Sequence, residues 1–265
     1  MRCVFCKQPS DDSRSVEHII PESLGNTEHV LAPGVVCDGC NNYFSRNVED
    51  PFVNSGQMRE LRFQMAIPSK RRRVPTLPGL SWPPASPVEL GKDPCDRDTW
   101  IRVLDEEHED AYIRSLLSGT KMTLLTPIGL PPSDFATARF VAKVGVEALA
   151  ARMHTSEHLD EIVDMAELDE VRAFVRRGFP TTPWPFSQRH LYPPDQMAMV
   201  GETPMETLHE YDLLYTPDCE LFIVVAVFGI EYALNLGGRS IDGYEAWLAE
   251  RDGRSPLYEG RNAVV

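Results

Sequence analysis

The chain has 265 residues, 42% of them hydrophobic and 25% charged, which excludes a disordered or fibrous polymer and leaves room for one large domain or two modest ones. A formal net charge of −14 excludes a chain that coats nucleic acid along its whole length. The charge is uneven, however: residues 1–73 carry 10 Lys/Arg against 9 Asp/Glu, and the rest carry 16 against 31.

The start, Met1-Arg2-Cys3-Val4-Phe5-Cys6, is too short and too polar for the apolar stretch of a secretory signal. The longest apolar run, Leu221 to Ile230, is ended by Glu231. A membrane span needs about 20 apolar residues, so this run reads as a buried strand. These features predict a soluble, cytoplasmic protein.

Residues 1–55 are rich in Cys, Gly, Asn and His. Cys3-x-x-Cys6 and Cys37-x-x-Cys40 form two knuckles thirty residues apart. A C-x-x-C turn presents two thiolates to one ion, and two such turns close the tetrahedral shell that zinc prefers. A reducing compartment disfavours disulfides, so structural zinc is the expectation. It would stabilise the fold outright, because about 55 residues bury too little apolar surface alone. Four protein ligands leave no open position, so this metal is not expected to do chemistry. Cys95 and Cys219 have no partner at ligand spacing and read as core residues.

Between the knuckles lies Ser15-Val16-Glu17-His18-Ile19-Ile20-Pro21-Glu22-Ser23-Leu24-Gly25-Asn26, and Asn41-Asn42-Tyr43-Phe44-Ser45 follows the second. The ordered pattern C-x-x-C, (D/E)-H-I-x-P-x-x-x-G-(G/N), V-C-x-x-C-N-N resembles the HNH endonuclease family, in its zinc-stapled ββα-metal subgroup. The resemblance covers about 50 of the 265 residues. It implies a metal-dependent hydrolase of phosphodiester bonds in nucleic acid, with DNA as the expected substrate and prokaryotic restriction or phage defence as a setting. By position, His18 matches the general base, since a neutral imidazole works near pH 7. Glu17 matches the acid that binds a catalytic Mg²⁺ or Mn²⁺. Asn41, with Asn42 as the near alternative, matches the second ligand of that cation, from the first turn of a helix. Side chains at 17 and 18 point to opposite sides of a strand, so both serve one site only if the strand end is twisted or bulged. The chain departs from the pattern at Ala32, where the family has its middle Asn; Asn26 is the candidate replacement for orienting the His18 ring. Glu49, further along the same helix, reads as a solvated or ion-paired glutamate.

Residues 46–73 hold seven basic side chains against three acidic ones. Arg46, Lys70, Arg71, Arg72 and Arg73 are the candidate phosphate contacts; a solvated run before a linker is the alternative. A helix is expected over Gly56 to Met65. Seven prolines fall within 56–95, and the loss of amide donors predicts a linker or covering loop there.

From 96 onward the pattern is mixed. Thr99 to Leu104 and Lys121 to Leu125 read as strands. Ser133-Asp134 caps a long amphipathic helix to about Met153, carried by Phe140, Val141, Val144, Ala148 and Leu149. Glu157 to Arg177 reads as one or two helices closed by Gly178. Tyr211 to Tyr215, the turn Thr216-Pro217-Asp218 and Leu221 to Leu236 read as a hairpin. His154-Thr155-Ser156-Glu157-His158 spells H-x-x-E-H, an inverted zinc-protease pattern, but Thr155-Ser156 reads as a helix break.

The predicted architecture is α+β. An N-terminal ββα-metal zinc domain (1–55) is followed by a basic, proline-rich segment (56–95). A mixed α/β domain (96–265) comes last, suited to oligomerisation or to a regulatory partner. Beside the nuclease stand two other readings: a zinc module that binds nucleic acid without cutting it, and a metalloprotease through residues 154–158.

Overall fold

The computed structural model describes residues 1–153, 159–192, 198–200, 203–205 and 209–258. They form two compact units, residues 1–52 with 133–265, and residues 53–132. The expected three-part division is therefore redrawn. The N-terminal segment shares a unit with the C-terminal half, and the stretch between them is a unit of its own.

The unit 53–132 corrects the expectation of a linker at 56–95. Helix α3 (Gly56–Gln64) starts at Ser55, whose hydroxyl accepts the Met58 amide at 3.4 Å. Strands β1 (Leu77–Trp82), β2 (Ser86–Lys92), β3 (Thr99–Val103) and β4 (Thr123–Leu125) form an antiparallel sheet in the order β3-β2-β1-β4. Prolines are tolerated because of where they fall. Pro78 lies beyond the short β4 pairing, which covers only Leu80 to Trp82 of β1, and Pro87 is the second residue of β2. Pro83-Pro84 make the turn between β1 and β2. Helix α4 (Glu106–Leu117) is capped by Asp105 and carries Glu106, Glu107 and Glu109 in its first turn, where the helix dipole favours them. Cys95, expected in the core, is exposed in the turn between β2 and β3.

The other unit is organised around α5 (Asp134–Met153), whose first turn is capped by Ser133. The helix has the expected length, but it is buried on nearly all sides rather than amphipathic. One side packs on an antiparallel sheet of β5 (Phe186–His190), β8 (His209–Tyr215), β9 (Leu221–Val227) and β10 (Ile230–Asn235), ordered β5-β10-β9-β8. Gly145 permits this approach, since a Cβ there would lie 2.7–2.8 Å from Leu236 and Ile223. Other sides meet α7 (Asp169–Arg177) and the N-terminal segment. The run Leu221 to Leu236 is two strands rather than one. Phe228 and Gly229 have φ of 52° and 77°, so the chain reverses there and leaves β9 and β10 central and buried. Cys219 is likewise exposed rather than core, because it sits in the β8–β9 turn with φ 62°. Gly178 ends α7 in the left-handed region, as expected. A short ladder of β6 (Ala198–Val200) with β7 (Thr203–Met205) completes the described strands. The H-x-x-E-H residues 154–158 lie outside the described residues. Among the described residues, no helix is long and apolar enough to cross a membrane.

The N-terminal segment reduces its two β elements to bridges, Arg2 with Pro9 and His18 with Val30. A helical stretch follows as α1 (Asp38–Phe44), a wide π turn over Ser45–Glu49, and α2 (Asp50–Val53). Pro51 explains the wide turn. Proline has no amide to give residue i−4 and its ring crowds that carbonyl, so the helix widens just before it. Phe52 then stacks on Phe140 of α5 at 4.0 Å between ring centroids and meets Tyr232 of β10 edge-on. Phe52→Ala should destabilise this unit by about 3–5 kcal/mol, the usual cost of deleting a buried aromatic ring. Denaturant unfolding of the full chain measures it; a loss below about 1 kcal/mol would mean that the N-terminal segment does not share the core of α5.

Candidate functional site

Cys3, Cys6, Cys37 and Cys40 converge, with their sulfurs all within 4.8 Å of one another. Local hydrogen bonds shape the knuckles. Lys7 N–H donates to the Cys3 carbonyl at 2.9 Å and Cys3 N–H to the Gln8 carbonyl at 2.9 Å, which closes the first turn. Cys37 is the N-cap of α1, and its sulfur accepts the Cys40 amide at 3.4 Å. The Cys6 and Cys37 sulfurs are 3.6 Å apart. A tetrahedral zinc with bonds of about 2.3 Å places its sulfurs roughly 3.8 Å apart, so this cluster fits that ion. The Cys40 thiol donates to Cys3 and holds it down at about 4, burial pushes Cys6 up to about 11, and Cys40 is pushed up by its bond to Cys3 and by burial. A divalent cation held here would favour four thiolates at once.

The dipeptide Glu17-His18 lies on the chain leaving the first knuckle. Leu31 N–H donates to the Glu17 carbonyl at 2.9 Å and Ile19 N–H to the His29 carbonyl at 3.0 Å, so 17–19 runs antiparallel to 29–31. Alternation sends Glu17 inward, 5% exposed, and leaves His18 half-buried. Asn41, in the first turn of α1, donates its amide to the Val16 carbonyl at 3.2 Å. That bond joins the helix to the strand end immediately before Glu17. Asn42 is exposed on the same turn.

Asn26 does not take the place of the missing middle Asn. Its amide donates to the carbonyls of Ile20 at 2.6 Å and His29 at 3.0 Å. Its oxygen accepts the amides of Glu28 at 3.0 Å and His29 at 2.8 Å. Both hydrogens and both lone pairs are used by the main chain, so nothing is left for the His18 ring. Asn26 holds the loop between the two halves of the bridge.

The structure adds residues that sequence reasoning did not single out. Lys143 of α5 is fully buried, and its ammonium lies 2.6 Å from Glu17 Oε1, 2.7 Å from Glu49 Oε1 and 3.0 Å from Glu147 Oε2. It also donates to the His18 carbonyl at 3.0 Å. Burial opposes its charge, but Glu147, Glu17 and Glu49 outweigh burial and hold its pKa above the ordinary lysine value. Burial pushes the Glu147 carboxyl up against the pull of Lys143. Arg139, one turn earlier, donates to the Asn47 carbonyl at 3.0 Å, the Tyr43 hydroxyl at 3.0 Å and the Val175 carbonyl at 2.6 Å. Asn47 is the residue whose i+4 neighbour is Pro51, so Arg139 supplies the donor that proline lacks. The signal for these groups was present as Arg139, Lys143 and Glu147, charged residues at spacing four inside an otherwise apolar helix.

The basic candidates fall in both units. Arg46 is exposed on the π turn, whereas Lys70 to Arg73 form an exposed turn between α3 and β1, closed by the Arg72 amide on the Ser69 carbonyl at 2.7 Å.

Residues 3–56 match the family described as HNH endonuclease, and residues 57–265 lie outside the match. No curated protein and no solved structure matches the chain. Cys40→Ser should abolish stoichiometric zinc and lower the melting temperature of the full chain, as chelation of the wild type should. Elemental analysis with thermal unfolding checks this; unchanged stability after complete metal removal would deny the cluster its structural role.

Proposed function

We propose that this protein is a metal-dependent endonuclease that hydrolyses phosphodiester bonds in DNA, with His18 as general base. The observation that carries the reading is the junction of Asn41 with Val16, which sets the first turn of α1 against the strand end bearing Glu17 and His18, beside a four-sulfur cluster of zinc geometry. The family match over 3–56 supports the reaction class. In it, His18 takes the proton of the attacking water, which requires a neutral ring. The carboxylate of Glu17 and the amide oxygen of Asn41, with Asn42 as alternative, are hard donors of the kind that suit Mg²⁺ or Mn²⁺. Such a cation would polarise the phosphate and stabilise the leaving oxygen. The four cysteines would hold Zn²⁺ and take no part in the chemistry. Arg46 and the turn Lys70 to Arg73 would bind phosphates.

A second reading, a zinc module that binds nucleic acid without cutting, is favoured by one observation: position 32 is Ala and Asn26 is fully engaged elsewhere. The two separate in a plasmid-nicking assay with Mg²⁺ or Mn²⁺. The nuclease should nick, and His18→Ala should lower the rate by about 10²–10⁴-fold, the range for losing a general base. Nicking that survives this substitution would remove His18 from the mechanism, and tight binding without any nicking would favour the module.

Replacing Lys70, Arg71, Arg72 and Arg73 together by Ala should weaken DNA binding irrespective of sequence. It should also reduce the slope of log K against log salt by about 0.9 for each phosphate that is no longer neutralised. Binding measured across a salt series tests this, and an unchanged slope would return the turn to a solvated role.

A further inference from the structure

We propose that Lys143 is a positioning residue for the nuclease centre, so that a helix outside the family match completes that centre. The inference rests on the nuclease reading of His18. Two of the four oxygens around the Lys143 ammonium belong to consecutive residues, the Glu17 carboxylate at 2.6 Å and the His18 carbonyl at 3.0 Å. One bond orients the side chain before the general base, and the other fixes the main chain of the base itself. The remaining two come from Glu49 at the end of the π turn and Glu147 one turn along α5. Lys143 is fully buried, so it does not touch a nucleic acid and acts only through the groups it holds.

Stability alone does not account for this choice of residue. A buried ion pair is commonly no more stabilising than an apolar side chain of the same size, and apart from Arg139 and Glu147 the buried side chains of α5 are almost all apolar. What the ammonium adds is direction, since it fixes oxygens from three segments at one point. Arg139 acts beside it on the other half of the centre, holding Asn47 and Tyr43 of the helical stretch that carries Asn41. Between them, two side chains one turn apart on α5 grip both elements that carry the site. Catalytic geometry is that sensitive, because a displacement of about 1 Å costs on the order of 10²-fold in rate.

The test compares full-length wild type, Lys143→Met and His18→Ala in initial-rate plasmid nicking with Mn²⁺, with zinc content and melting curves on each protein. Methionine keeps the length of the side chain and removes its charge. Folded Lys143→Met should lose on the order of 10²-fold in kcat, with KM for plasmid moving less than about threefold. If Lys143→Met does not fold, the triple variant Lys143→Met/Glu49→Gln/Glu147→Gln removes two of the three carboxylates it would strand and spares Glu17, which belongs to the proposed centre. That variant is compared with Glu49→Gln/Glu147→Gln, and the same loss in kcat is expected. A folded Lys143 variant that keeps kcat within about threefold of its parent, or that changes KM alone, overturns the positioning role and leaves the nuclease reading intact. A wild type that never cuts, or a His18→Ala variant that cuts as well as wild type, overturns the nuclease reading and this role with it.

Discussion

Lys143 is an ammonium with no access to water, surrounded by oxygens of Glu17, His18, Glu49 and Glu147. Removing one partner of such a pair strands a buried charge, at a cost of about 3–5 kcal/mol. Much of the unit 1–52 with 133–265 can be understood from that constraint. The strand end at 17–18, the π turn and α5 must meet with correct spacing, because each supplies an oxygen or the nitrogen. The four-cysteine segment is therefore not a bead attached to a larger chain. It is held against the longest described helix by charge, by the Phe52–Phe140 stack and by the bonds of Arg139 to Asn47 and Tyr43.

Pro51 shows how a local defect is turned to use. Its missing amide cannot serve the Asn47 carbonyl in the α-helical pattern, and the helix widens into a π turn. Arg139 donates to Asn47 in its stead, and Glu49 leaves the turn facing Lys143.

The candidate site keeps two kinds of cation chemistry apart. Soft sulfur donors from two knuckles form a closed shell, which suits an ion that only holds the chain together. A few residues away the donors are hard oxygens, and there the protein supplies a cation of its own in Lys143. Glu17 therefore has a partner before any divalent ion is considered. The carboxylate is held in one orientation by the fold instead of being left to search for it.

The sequence alone was sufficient for the knuckles, the helix after Cys37 and the approximate extent of α5, because these depend on neighbours within a few residues. Ligand spacing, capping and periodicity are short-range properties. It misjudged 56–95, where proline frequency was a poorer guide than the positions of Pro78 and Pro87 relative to the ladder. It also placed Cys95 and Cys219 in the core, since residue type does not say which hydrophobic positions fall in turns. Asn26 could be nominated from its position, but only the loop geometry decided that its four hydrogen-bonding sites belong to the main chain. The meeting of Glu17 with Lys143, 126 residues apart in the numbering, was beyond any local pattern. Burial and the pairing of distant charges are set by which surfaces the folded chain brings together, and only the tertiary structure decides that.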